Sequence, residues 1–380
     1  MKKLTTLLFV LVFASSMAFA QNNDADVDQT GDDHNATVSQ DGSLHEAIVD
    51  QDSHFGTGHT AEITQQTGDE NFAYVDQNQA NSEAYITQTG SYNESRSKQA
   101  GYNVANILQE GNTNVLGQYN NLSANAYQKN GFGNGVGDMS SLDLDQIGDL
   151  NEAGLWQEHH AEASIAQNGN ENDAHVYQSG TAGLAVNSAF VSQNGNLNEA
   201  DVNQDGEGNS ASVQQGHAAY TSSSNTADID QMGNSNTASF GLQDGDGNEV
   251  TASQDGSGNY SDFFVEYGND NTISTSVVGD GNRTEFEVDA DWSVWSSDNS
   301  ITIDKDGDSN YVAGYVKGDD NTVSITQDGS GNMVGSDWYT GDGVNITGSN
   351  NTVSVSQMSD GNVSMTTVNG SNNTATITQN

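Results

Sequence analysis

The chain has 380 residues, 53 of them acidic and 8 basic, giving a formal net charge of −45, and a surface of that sign excludes nucleic acid as a partner. It has no Cys, which excludes a disulfide scaffold, thiolate chemistry and Cys-based metal sites. It also has no Pro against 42 Gly, the composition demanded by a continuous ladder of paired strands, because Pro removes a ladder donor.

Residues 1–20 read as a secretory signal peptide: Lys2 and Lys3 precede an apolar run from Leu4 to Phe13, and Ala18-Phe19-Ala20 supplies a small-x-small cleavage pattern. The stretch is short for a membrane anchor. The mature chain is expected to begin at Gln21, and loss of the two lysines takes the charge to −47. No second apolar run follows, so the chain is expected to be secreted.

Low hydrophobicity with high charge favours disorder unless the residues are periodic, and residues 21–259 are periodic. Gln29, Gln40 and Gln51 lie eleven residues apart, as do Gln66, Gln77, Gln88 and Gln99, then Gln146 and Gln157, Gln167 and Gln178, and Gln193, Gln204 and Gln215. Between these marks every second residue is constant, as in Asn71-Ala73-Val75-Gln77, Asn151-Ala153-Leu155-Gln157, Asn172-Ala174-Val176-Gln178, Asn198-Ala200-Val202-Gln204, Asn209-Ala211-Val213-Gln215 and Asn225-Ala227-Ile229-Gln231. A period of two is a strand with one constant and one variable face. The variable face carries Asp, Glu, Ser, Thr and Tyr and is expected to be wet. Each unit ends in a Gln-x-Gly-x-x turn, where Gly31, Gly68, Gly90, Gly148 and Gly169 supply backbone freedom.

One strand and one turn cannot bury a face alone, so units must stack. The expected fold is all-β, an elongated β-solenoid of two-strand coils with about 22 residues per coil. Roughly 16 coils rising about 4.8 Å each predict a rod on the order of 75 Å long. In-register stacking sets Gln over Gln and Asn over Asn, so the amides form ladders while Ala and Val fill a thin dry interior.

The Gln-x-Gly-x-x-Asn-x-Ala-x-x-x-Gln unit resembles the curlin repeat of curli, the amyloid fibres of bacterial surfaces, over about Gln29 to Asn259, with looser units such as Gln109 to Gln118. The resemblance implies export through an outer-membrane secretion pore, seeding by a nucleator subunit, and a place in cell adhesion and biofilm matrix. This chain is longer and more acidic than a typical curlin, and only Gln21 to Asp28 precede the first repeat.

Three places break the rhythm. Lys129 to Asp145 reads as a protruding loop or irregular coil. Residues 260–298 lack the Gln marks and gather Phe263, Phe264, Phe286, Trp292 and Trp295, which suggests a distorted, wider coil. Residues 299–380 return in a divergent Asn/Thr/Val dialect: Asn321-Val323-Ile325-Gln327, Asn351-Val353-Val355-Gln357 and Asn373-Ala375-Ile377-Gln379. A last repeat Gln beside Asn380 suggests an open final strand able to grow.

Other chemistry weighs less. His34 and His45 take the Asn position of consecutive units, and His159-His160 or His54 with His59 are conceivable zinc or copper ligands, though solvated or ladder-replacing His is the simpler reading. Asp-Gly turns such as Asp205-Gly206 and Asp255-Gly256 lack the nine-residue Gly-Gly-x-Gly-x-Asp period of a calcium β-roll. Loose Ca2+ association with stacked carboxylates is expected, with no other cofactor. Only Arg96, Arg283, Lys98, Lys129, Lys305 and Lys317 are available to an anionic substrate, and a uniform repeat offers no singular pocket, so no catalytic residues are expected. Thr rows near Thr322, Ser324 and Thr326 suggest ice or surface binding if they form a flat face. The chain therefore reads as the subunit of a self-assembling extracellular fibre, with these Asn and Gln as assembly ladders and itself as chief partner. The alternative is a secreted, calcium-associated β-solenoid adhesin or surface-binding protein that stays monomeric.

Overall fold

Alternating inward and outward residues with Gly at most turns leave each segment one way to bury its constant face, which is to lie flat on the next copy of itself. In the computed structural model, which describes residues 22–53, 58–79, 81–118, 126–129, 139–180, 185–217, 222–288, 295–335 and 343–380, this happens throughout. The signal segment lies outside the described residues.

All described regular structure is β. Strands alternate between two parallel sheets: sheet 1 begins with Asp24–Thr30 and ends with Thr374–Gln379, and sheet 2 begins with Asn35–Ser43 and ends with Thr366–Asn369. The strands pair in parallel with those one coil on, equivalent position over equivalent position, as where Ala174 and Gln178 meet Ala200 and Gln204. The solenoid has about 14 turns roughly 23 residues apart, slightly fewer and longer than the spacing of Gln marks predicts. Sheet 1 comprises fifteen levels. One of them is shared by two short strands, Val115–Gln118 and Ala126–Lys129, which both pair with Glu94–Ala100 and Glu152–Glu158.

The core is a thin double column. Ala47, Ala73, Ala153 and Ala174 with Val49, Val75, Leu155 and Val176 face Ala61, Ala84 and Ala163 with Ile63, Ile86 and Ile165, all at most 3% exposed. The inward Asn, Ala, Val and Gln and the outward Asp, Glu and Thr follow the predicted pattern. Gly is required at the turns for two reasons. Gly111 has φ +116, and a Cβ there would lie 1.8 Å from the carbonyl oxygen of Gly148 in the next level; Gly169 repeats this with φ +132 against Gly195. The turns stack as closely as the strands.

Residues 260–298 depart from expectation. Tyr260–Tyr267, Thr272–Val278 and Arg283–Val288 are strands in unbroken register with their neighbours. The missing Gln marks reflect a change of filling: Val265, Val277 and Val288 take the Gln slots, while Phe240, Phe263 and Phe286 stack in the sheet 2 column that Val213 occupies earlier. Gly314 follows them, and a Cβ there would lie 2.7 Å from the Phe286 ring, so Gly makes room for it. Trp292, with residues 289–294, is outside the described residues. So are residues 130–138 of the expected loop, although Ser140–Ile147, part of the interval read as irregular, is a regular strand.

Candidate functional site

Amide columns run along the rod because coil after coil returns Gln or Asn to the same inward position. In sheet 1, Gln29, Gln51, Gln77, Gln99, Gln128, Gln157, Gln178, Gln204, Gln231 and Gln254 form one chain of bonds, each side-chain amide donating to the Oε1 of the next Gln at 2.7–3.0 Å. The same amides donate across the core to backbone carbonyls of sheet 2, as Gln178 does to Glu162 at 3.0 Å. Sheet 2 repeats the column through Gln40, Gln65, Gln88, Gln109, Gln146, Gln167, Gln193 and Gln215. Here Gln65 replaces the predicted Gln66. The strand alternation Ala61-Ile63-Gln65 turns Gln65 inward and Gln66 to solvent, and a register irregularity lies between Asp41 and Ser43 beside it.

The Asn column of sheet 1 is longer still. From Asn71 through Asn151, Asn172, Asn198 and Asn225 to Asn373, the backbone N–H of each Asn donates to the Oδ1 of the preceding one at 2.8–3.2 Å. Each Nδ2 reaches the turn one coil on, typically a Gly carbonyl, as Asn172 does to Gly195 at 2.8 Å. Asn209 belongs to a shorter sheet 2 column from Asn187 to Asn362. Of the predicted ladder residues, Gln29, Gln40, Asn373 and Gln379 are the ones left partly or fully exposed, in the outermost levels. Residues missed from sequence, such as Asn248, Asn271 and Gln254, carry the signal of an Asn two residues before an apolar residue or a Gln before Asp-Gly.

His replaces Asn near the start. His45 Nδ1 accepts the Asn71 N–H at 3.2 Å, His34 Nδ1 that of His59, and His59 Nδ1 that of Ser82, both at 3.1 Å. The His34 and His59 rings stack at 5.1 Å. Burial, with the neighbouring His34 a smaller contribution, pushes His59 below its ordinary pKa. No cluster of three or more His, Asp or Glu among the described residues is placed to hold a metal ion. His54 lies outside them.

Two interruptions were not visible in sequence. The sheet 2 Gln column gives way after Gln215 to Leu242, Val265, Val288, Val316, Ile346 and Val368. In sheet 1, Val277 and then Lys305 stand between Gln254 and Gln327. Lys305 is fully buried and so cannot meet an anionic substrate. Its Nζ donates to the Arg283 carbonyl and to Thr284 Oγ1, and burial drives it well below the usual lysine range.

Outside, the rows are electrostatic. Asp28, Asp50 and Asp76 stand in one column, and burial, then Asp76 and Asp28, raise the Asp50 carboxyl. Lys98 closes this column 2.6 Å from Asp76. Tyr127, Trp156 and Tyr177 follow in stacked order at 4.5 and 6.4 Å.

Curlin associated repeats match residues 20–52, 36–66, 187–216, 223–256, 245–275, 297–329 and 348–380, just over half the chain. They include the Asn/Thr/Val dialect and pass over 67–186, where the columns nevertheless continue. No curated protein matches the chain.

Proposed function

The chain belongs to the curlin associated repeat family, and from that premise we propose that it is exported as the subunit of a curli-type extracellular amyloid fibre serving adhesion and biofilm matrix. The family is structural rather than enzymatic.

The observation that supports assembly is the polarity of the columns. Among the described residues, Asp24–Thr30 and Thr374–Gln379 each pair on one side only. Inside the chain, wherever a column is unbroken, each Gln donates to the Gln of the next level and each Asn N–H to the Asn of the preceding level. A second copy continues both rules if its Gln29 accepts from Gln379 and its Asn23 N–H donates to Asn373. Head-to-tail addition thus repeats an internal contact at about 4.8 Å spacing. An exported nucleator and an outer-membrane pore are the partners that the family resemblance adds, and loosely held Ca2+ is the ion that its carboxylate rows suit.

The test incubates purified residues 21–380 and follows thioflavin fluorescence with and without preformed seeds, then records fibre diffraction. The proposal requires seeded growth and a cross-β reflection. A chain that stays monomeric under all conditions, seeds included, is the adhesin of the alternative reading.

A further inference from the structure

Five consecutive levels of sheet 1, Thr272–Val278, Ser300–Asp306, Thr322–Asp328, Thr352–Gln357 and Thr374–Gln379, each turn three alternate side chains outward from the first residue on. Fourteen of these fifteen positions are Thr or Ser, and Asp304 is the exception. The levels pair residue to residue without a shift. Their hydroxyls therefore form a regular two-dimensional net, repeating at about 4.8 Å from level to level and about 6.7 Å along each strand.

Strand propensity alone does not place this net. At the same height sheet 2 turns out Arg283, Glu285, Glu287 and Tyr315. Earlier levels of sheet 1 turn out Asp26, Asp50 and Asp228. In a chain with 53 acidic residues, one face of one sheet is nearly free of charge, while Asp306 and Asp328 remain at its margin where the strands end.

We propose that this face binds ice. A carboxylate orders water radially around itself and disrupts a crystalline arrangement, so a net with Asp304 as its one carboxylate favours a lattice of water as the occupant. β-Branching holds Thr χ1 in few rotamers, and the in-register strands fix the hydroxyl rows. Two fixed repeats, the shorter close to the oxygen repeat along the a axis of hexagonal ice, anchor rows of water already spaced for the crystal. The face lies along the side of the rod, so binding does not depend on assembly at the ends.

The test is partition of the purified full chain into slowly grown ice, with recrystallisation inhibition as second readout. The expected result is uptake into the ice fraction, lost in Ser324→Tyr, where a ring stands above the centre of the net. Ser212→Tyr, an outward position on sheet 2, keeps native uptake. Circular dichroism verifies that each variant is folded, and Thr302→Tyr substitutes for Ser324→Tyr if that variant is not. Exclusion of the native chain from ice overturns the proposal, as does native uptake by a folded net variant. Binding to crystalline cellulose without binding to ice, or a net variant that changes only sedimentation, likewise overturns it and assigns the face to polysaccharide or to a second copy.

Discussion

Lys305 stands one level before Gln327 in the same inward column, and Gln327 Oε1, the acceptor that every other internal rung fills, has no hydrogen-bond partner. A buried acceptor left unpaired costs about 1–3 kcal/mol. Lys305→Gln restores a donor to Gln327 but passes the unpaired acceptor to its own Oε1, which faces Val277, so the stability gain expected at neutral pH comes from removing the buried amine. The folded lysine binds its proton less tightly than the unfolded one. The penalty is therefore full below the depressed folded pKa and fades as pH rises toward the unfolded value of about 10.4. Native protein should gain stability on that alkaline limb, and a denaturation series against pH should show the gain vanish in the variant.

Asn248 accepts both the backbone N–H and the side-chain amide of Asn271. Asn248→Ala strips the acceptor and leaves a buried N–H unpaired, at a cost of about 1–3 kcal/mol. Repeat arrays need not unfold as one unit, so the sharper measurement is hydrogen exchange at the Asn271 amide. It should accelerate in Asn248→Ala and stay native in an outward change such as Ser324→Ala.

The constant face was legible because each inward residue has one role and returns in every coil: Asn172, Ala174, Val176 and Gln178 can be named from spacing alone. Gln65 was hidden by a neighbouring Gln66 at the more regular interval, and only the parity of Ala61 and Ile63 separates them. The aromatic coils around Phe263 were misjudged because size suggested distortion, whereas the cavity for Phe286 comes from Gly314, 28 residues along the chain. Lys305 was overlooked because residue type outweighed parity. The alternation Asn299-Ile301-Ile303 puts it in the inward Gln slot, but a lysine flanked by Asp304 and Asp306 reads as exposed by residue type.

His59 Nδ1 accepts the Ser82 N–H, which fixes a neutral ring carrying its proton on Nε2. Protonation at Nδ1 breaks that bond and sets charge beside the stacked His34, with Asp52 the nearby carboxylate that partly opposes it. Because the folded pKa is lowered, the unfolded chain binds the proton first. Stability is then present above the unfolded value of about 6.5 and is lost as pH falls through the folded value. Hydrogen exchange at Ser82 should speed up on acidification, and His34→Asn with His59→Asn should flatten that response. Unchanged protection at Ser82 across the acid range defeats the prediction.

Charge should govern how fast copies join, and the end strands decide which part of it matters. If Gln379 meets Gln29 of the next copy, Thr374, Thr376 and Thr378 come to lie over Asp24, Asp26 and Asp28, so no carboxylate column crosses the junction. What remains is the long-range field of a chain with net charge −45. That field is screened within about 8–10 Å at ordinary ionic strength. Lag times for fibre growth should therefore be long in dilute neutral buffer and shorten with sodium chloride, with Ca2+, and on acidification toward the pI of about 4.1. Raised carboxyls such as Asp50 and Asp230 help on the acid side, since their folded form takes up protons before the unfolded chain does. Thr376→Asp places a carboxylate about 4.8 Å from Asp26 across the junction, a repulsion of about 1 kcal/mol even in bulk water. That energy corresponds to roughly fivefold slower addition, and salt at about 1 M, which shortens screening to about 3 Å, should recover most of it. A lag time indifferent to salt in both proteins rules out electrostatic control, and a native lag time in Thr376→Asp rules out this register at the junction.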